Sequence, residues 1–101
     1  MKKGPMRRLE KHLTGGNLWL YILSLLKKGK RHAYALDDEI SKKFSFKPNK
    51  IMIYMVLYKL EAEGMIDSEF EGRRKYYNIT KKGIQTINEG KKYLEELSDI
   101  L

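Results

Sequence analysis

N-K-I-M-I-Y-M-V-L-Y-K-L-E-A-E-G, residues 49–64, runs directly into M-I-D-S-E-F-E-G-R-R-K-Y-Y-N-I-T-K-K-G, residues 65–83. Two periodicities meet at that junction. In the first stretch Ile53, Val56, Leu57 and Leu60 recur at helical spacing, Asn49 can cap the start, and Gly64 can take the left-handed position past the end. In the second, Met65–Phe70 and Arg74–Ile79 alternate, with Ile66, Ser68 and Phe70 on one face. Glu71-Gly72-Arg73 supplies the turn between them. The hairpin tip carries three consecutive cations, Arg73, Arg74 and Lys75. A helix that feeds a basic two-stranded loop is the arrangement of a winged helix-turn-helix. Such a helix fits a major groove, and the loop, or wing, lies on neighbouring backbone or minor groove.

Working outward, Pro5 suits the first position of a helix. Met6, Leu9 and Leu13 then predict a short amphipathic helix over residues 5–13, stopped by Thr14-Gly15-Gly16. Asn17 is expected to cap the next helix. Residues 18–28, L-W-L-Y-I-L-S-L-L-K-K, are apolar on nearly every side, which predicts burial on more than one side. In a chain this small, part of that burial is expected against a second subunit. Gly29 ends this helix, and Lys30-Arg31-His32 reads as a basic connector. Ala33, Leu36, Ile40 and Phe44 share one face of a third helix over residues 33–43, with Asp37, Asp38, Ser41 and Lys42 on the solvent side. Ser45-Phe46-Lys47-Pro48 is a short turn that proline keeps non-helical.

Thr80 caps a final helix in which Ile87, Leu94 and Leu101 repeat every seven residues, with Gly90 and Leu97 between them. That is a partial coiled-coil seam, suited to a subunit interface or to packing on the domain itself. The expected fold is mainly α with a small β-hairpin: a winged helix-turn-helix with extra N- and C-terminal helices. The whole is one compact unit, divided into an N-terminal basic helix and turn (1–16), the winged helix-turn-helix (17–80) and a C-terminal dimerisation helix (81–101).

The bulk properties narrow the function. The chain has 101 residues and a formal net charge of +8, from 21 Lys and Arg against 13 Asp and Glu. A small basic domain suits a polyanionic partner. No cysteine is present, which excludes disulfides, cysteine nucleophiles and thiolate metal sites. The N-terminal residues lack the apolar core of a signal peptide, and the longest apolar run is too short to span a bilayer. A cytoplasmic protein with no membrane partner is expected. Asp37 and Asp38 are adjacent, so they diverge on a helix and form no acid/base pair. His12 and His32 lack acidic neighbours at metal-ligand spacing. Gly15-Gly16 lacks the lysine of a phosphate loop, and Ser24 has no base. No catalytic residue, metal or cofactor is expected, and the chain does not read as an enzyme.

Three segments together resemble the PadR-like family of transcriptional regulators. They are G-N-L-W-L-Y-I-L-S-L-L-K-K-G-K-R-H-A-Y-A-L (16–36), I-Y-M-V-L-Y-K-L-E-A-E-G-M-I (53–66) and R-K-Y-Y-N-I-T-K-K-G (74–83). The resemblance covers about residues 13–90. It includes a His-Gly-Tyr element, here His32-Ala33-Tyr34 with alanine for glycine, and a recognition helix with Tyr54, Leu57, Leu60, Gly64 and Ile66 in place. It implies a homodimeric repressor that binds double-stranded DNA site-specifically, with a recognition helix over about 49–63 and a wing over 70–76. It also implies that Tyr54 touches DNA and that a small aromatic effector binds at or near the dimer interface. The family opens its recognition helix with Ser-Pro-Gly-Thr or similar, whereas this chain has Asn49-Lys50-Ile51-Met52.

Residue roles follow from helix geometry. Lys50, Tyr54 and Tyr58, spaced by four, share an outer face. Lys50 and Tyr54 would reach deepest into a groove, and Tyr58 and Lys59 would meet phosphate. Asn49 caps, and Lys50 adds charge at a helix start that already favours phosphate. Ile51 and Met52 replace polar groups and could touch thymine methyls, or Ile51 could pack on Phe44 or Phe46. Tyr54 has a half-buried core position as its alternative. Arg73, Arg74 and Lys75 are candidate phosphate or minor-groove contacts, or a solvated loop, and Lys30, Arg31 and His32 could clamp the backbone. Lys2, Lys3, Arg7, Arg8 and Lys11 form either a flanking-DNA contact or a solvated face. Leu9, Leu13, Trp19, Ile87, Leu94, Leu97 and Leu101 are candidate dimer-interface residues. Trp19 and Tyr21 could line an effector pocket or simply be core. Besides the regulator, two readings remain open: a sequence-indifferent architectural nucleic-acid binder, and a winged-helix module for protein contacts.

Overall fold

The computed structural model describes residues 3–101. Helix α1 spans Gly4–Leu13, a 3-10 turn follows at Gly15–Asn17, and α2 spans Leu18–Leu26. Strand β1 is Arg31–His32, α3 is Ala33–Phe44 and α4 is Lys50–Ala62. Strands β2 (Ile66–Glu71) and β3 (Arg74–Ile79) form the hairpin, and α5 runs over Lys81–Ile100. The fold is mostly helical with a small antiparallel sheet, as the sequence predicts.

Helix α2 is the axis of the core. Leu18, Ile22, Leu23, Leu25 and Leu26 are all buried, and the helix is packed by α3, α4, α5 and β3. Most of its apolar surface is covered within one chain, while Trp19, Leu20 and Tyr21 stay only partly buried. Asn17 stands at its cap position but does not cap it with its side chain. Its Nδ2 donates to the His12 carbonyl and its Oδ1 accepts from Trp19 Nε1 at 3.2 Å, so it fastens α1 to α2 instead.

Helices α3 and α4 lay their apolar faces on α2 through Leu36, Ile40, Ile53, Leu57 and Leu60. The chain turns between them at Ser45, which takes a left-handed conformation with φ of 59°. Tyr21 stabilises this corner. Phe44 and Phe46 meet its ring edge-on at 4.7 and 4.9 Å, and its hydroxyl donates to the Leu13 carbonyl. Asp37, expected on the solvent face of α3, is buried at 6% exposure. It lies one residue from Leu36 on the flank that α4 covers, so packing overrides the polar pattern.

The basic connector contains a strand that the sequence reading missed. Arg31 pairs with Tyr77 and His32 with Tyr76, giving the sheet order β1-β3-β2. Two residues are too few to show alternation. Glu71 pairs with Arg74, leaving Gly72-Arg73 as a two-residue loop. Gly72 has φ of +64° and Arg73 does not have positive φ, as in a type II′ hairpin turn.

Helix α5 is anchored at its start and uncovered at its end. Thr80 Oγ1 accepts from the Gly83 N–H at 3.2 Å and donates to the Gly64 carbonyl at 2.7 Å. Gly83 sits so close to the segment entering β2 that a Cβ there would lie 2.1 Å from the Met65 carbonyl oxygen. Ile87 is 2% exposed and belongs to the domain core, so it has no surface left for the subunit interface expected of it. At Gly90 the helix meets Trp19, whose ring would stand 2.9 Å from an added Cβ. From Lys91 onward every residue is exposed. Helix α1 has no buried residue. Among the described residues, no helix is long and apolar enough to cross a membrane.

The Met65–Gly83 approach generates a stability prediction. Gly83→Ala should lower unfolding free energy by about 1–3 kcal/mol through overpacking against backbone, although alanine is the better helix former. Urea denaturation measures this, and an unchanged or raised midpoint would contradict the close approach.

Candidate nucleic-acid interface

Helix α4 begins with a side-chain cap. Asn49 Oδ1 accepts from the N–H groups of Ile51 and Met52 at 2.9 and 3.2 Å. It ends in a reversal where the Met65 N–H reaches the Leu60 carbonyl at 2.9 Å, with Gly64 left-handed at φ +77°. With Ile53, Leu57 and Leu60 directed into the core, the opposite side is fixed. The most exposed side chains of α4's outer ridge are Ile51 at 71%, Met55 at 59% and Tyr58 at 79%. Tyr54, 57% exposed, lies toward the wing and is not a half-buried core tyrosine. Lys50 lies on that same flank. Met52 turns the other way, toward Trp19. Ile51 is not buried on Phe44 or Phe46, which pack on Tyr21 instead. Met55, absent from the candidates read in the sequence, stands at the centre of the ridge.

The wing and α4 enclose a concavity of about 450 Å³ bordered by Tyr34, Tyr54, Phe70, Arg73, Arg74 and Tyr77. Phe70 is 70% exposed although it alternates with buried Ile66, because the hairpin leaves the core before its tip. Burial, then the charge of Glu61 and the Tyr54 hydroxyl, push the Tyr77 phenol up from its usual pKa.

Several basic candidates are engaged within the fold. Lys30 is hydrogen-bonded to Glu71 and lies 3.5 Å from Glu69, and the Glu71 contact raises its ammonium pKa above the ordinary value. Arg31 pairs with Glu39 at 2.8 Å and donates to the Gly29 carbonyl. Lys75 lies 3.7 Å from Glu61 and over the Tyr77 ring. His32 ties α3 to the wing: its Nδ1 accepts from the Ala35 N–H at 3.3 Å, and its Nε2 lies 2.9 Å from Arg74 Nη1. Lys50, Lys59 and Arg73 make no ion pair among the described residues. Asp37 Oδ2 is 4.0 Å from Lys47 Nζ, while Oδ1 has no hydrogen-bond partner. The carboxylate borders a small cavity of about 180 Å³ shared with Lys50 and Tyr54.

The remaining candidates separate. Trp19 borders a groove of about 420 Å³ with Met52, Val56, Lys59 and Glu63 of α4. Tyr21 is not part of it. Leu9, Leu94, Leu97 and Leu101 are exposed at 51%, 37%, 37% and 95%, and Leu13 is half-buried. Arg7, Arg8 and Lys11 lie on exposed α1 and Lys3 just before it; Lys2, grouped with them, falls outside the described residues.

An apolar axial helix, a helix-turn-helix on it and a basic three-stranded wing define a winged helix-turn-helix protein. The chain belongs to the PadR-like family of transcriptional regulators, whose model matches residues 22–89. An uncharacterized protein of Lysinibacillus sphaericus is 31% identical over 93 residues, covering 85% of each chain. A transcriptional regulator from Clostridium thermocellum has a similar structure, with TM-score 0.79, 28% identity and coverage of 84% of this chain and 89% of that one. A PadR-like regulator from Bacillus cereus gives 0.76 at 26% identity, covering 90% and 91%. Bacillus subtilis PadR in complex with operator DNA gives 0.62 at 26% identity, covering 71% of this chain and 46% of that one.

Proposed function

We propose that the protein is a site-specific, double-stranded DNA-binding repressor that acts as a cytoplasmic homodimer. The observation that carries this reading is the exposed outer ridge of α4 beside the wing, with Lys50, Lys59 and Arg73 unpaired around it. From Lys50 through Lys59 the helix contains no acidic residue, so it offers a polyanion no repulsion. The operator complex of the Bacillus subtilis relative supports the choice of duplex DNA. In this reading α4 enters the major groove. Arg73 meets phosphate at the wing tip, and Tyr58 and Lys59 meet it farther along the helix. Lys30, Arg31 and Lys75, already ion-paired, shape the wing more than they hold DNA, while Asn49 and His32 set the starts of α4 and α3.

The dimer reading rests on surface that this fold leaves uncovered: Leu94, Leu97 and Leu101 on α5, with Leu9 and Leu13 on α1. Two copies joined there would present two recognition helices to half-sites about 34–36 Å or a multiple apart, and occupancy would block a promoter. The groove beside Trp19 is where we place a small aromatic effector, because an occupant there would press on α4 through Met52 and Val56.

Fluorescence anisotropy with the protein's own upstream DNA and a scrambled duplex, at matched salt, should show a preference on the order of 10³-fold. Equal binding would point to an architectural binder, and no salt-sensitive binding to a protein-contact module. Arg73→Ala should weaken both duplexes alike and reduce the salt slope by about 1, with a smaller effect from Lys75→Ala. In sedimentation, the wild type should run as a dimer and Leu97→Glu as a monomer; a monomeric wild type would remove the dimer. Planar aromatic compounds should quench Trp19 fluorescence, and a panel without effect would remove the effector site.

A further inference from the structure

The ridge that faces outward from α4 has an unusual chemistry for a groove-reading helix. Its first two turns place Ile51 and Met55 four residues apart, with Tyr58 one turn beyond. Ile51 and Met55 carry no hydrogen-bond donor or strong acceptor, and both are more than half exposed. Among the described residues nothing covers them: the phenylalanines that could have covered Ile51 pack on Tyr21. An apolar stripe kept open to solvent marks a contact surface. The unpaired cations Lys50, Lys59 and Arg73 around it fit a polyanion and disfavour a basic or purely apolar protein partner.

In a major groove, one apolar group is available to such side chains, the C5-methyl of thymine. Ile51 and Met55 are about 6 Å apart along the helix axis, a little under two base steps of about 3.4 Å. Each can therefore meet a methyl on a different base pair. Lys50 and Tyr54, on the wing-side flank, remain to make hydrogen bonds and phosphate contacts.

Resting on the site-specific DNA-binding reading above, we propose that Ile51 and Met55 read thymine methyl groups. Each half-site then carries thymines at two nearby positions, and the protein distinguishes thymine from uracil there. The departure of this chain from the family's helix opening, with Ile51 in place of a small or polar residue, becomes a determinant of its own operator.

The test begins with a duplex selected by the protein from a random pool, prepared with thymine or with uracil at the half-site positions. Burying one methyl group corresponds to about a fourfold change in affinity, so uracil should weaken binding by about fourfold at each contacted position. Uracil placed outside the half-sites should change nothing. Ile51→Ala and Met55→Ala, both at exposed positions, should each erase the thymine preference at one position. Selective binding with equal affinity for thymine and uracil would overturn this inference and leave the site-specific reading intact. So would a selected site without thymines, or a thymine preference that survives in both variants. Absence of any selective duplex binding would overturn both readings together.

Discussion

The burial of α2 is the constraint on which the rest of the structure depends. A chain of 101 residues has room for one small core, and a nine-residue apolar helix provides its centre. Each fully buried leucine or isoleucine contributes about 1.5–3 kcal/mol, and α2 buries more of them than any other element. Helices α3 and α4 can gain that burial only by laying their apolar stripes on α2. Once Ile53, Leu57 and Leu60 are committed inward, helix geometry leaves Ile51, Met55 and Tyr58 outside. The exposed outer ridge of α4 is thus a consequence of how the core is filled.

Electrostatics then divide the cations into two groups. The net charge of +8 suggests a broad basic surface, but much of the charge beside the sheet is neutralised locally. Glu39, Glu61 and Glu71 hold Arg31, Lys75 and Lys30. Such partly exposed pairs add little stability individually. Their effect is to fix the short strand β1 and the wing in one arrangement while leaving a smaller set of cations open around α4. His32 belongs to this scaffold, since it caps α3 and reaches Arg74 across the sheet.

Close approaches set the placement of α5. Gly83 lets it start against the segment entering β2, and Gly90 lets it lie on Trp19. Past that point its apolar residues have nothing of this chain to cover, because α1 extends without a buried residue of its own. The seven-residue repeat therefore has two physical meanings along one helix. Ile87 serves the domain core, while Leu94, Leu97 and Leu101 remain available.

By itself, the sequence determined the elements and their order, because these depend on local chemistry. Helical spacing and the Asn49 and Thr80 caps fixed α4 and α5, and alternation around Glu71-Gly72-Arg73 fixed the hairpin. Three ordered motifs pointed to the family. Tertiary structure decided which side chains are free to act. A two-residue strand has no periodicity to read, so β1 emerged only from its pairing with β3. Asp37 is polar in pattern yet buried by α4, and Asn17 is a cap by type yet a tie between helices by contact. Tyr21 is drawn away from Trp19 by Phe44 and Phe46. Whether a lysine or arginine is open or paired depends on carboxylates as far as 41 residues away in the chain, as for Lys30 and Glu71. Whether Ile51 faces core or solvent depends on where those phenylalanines pack. Neither property is local, so neither could be read before the chain was folded.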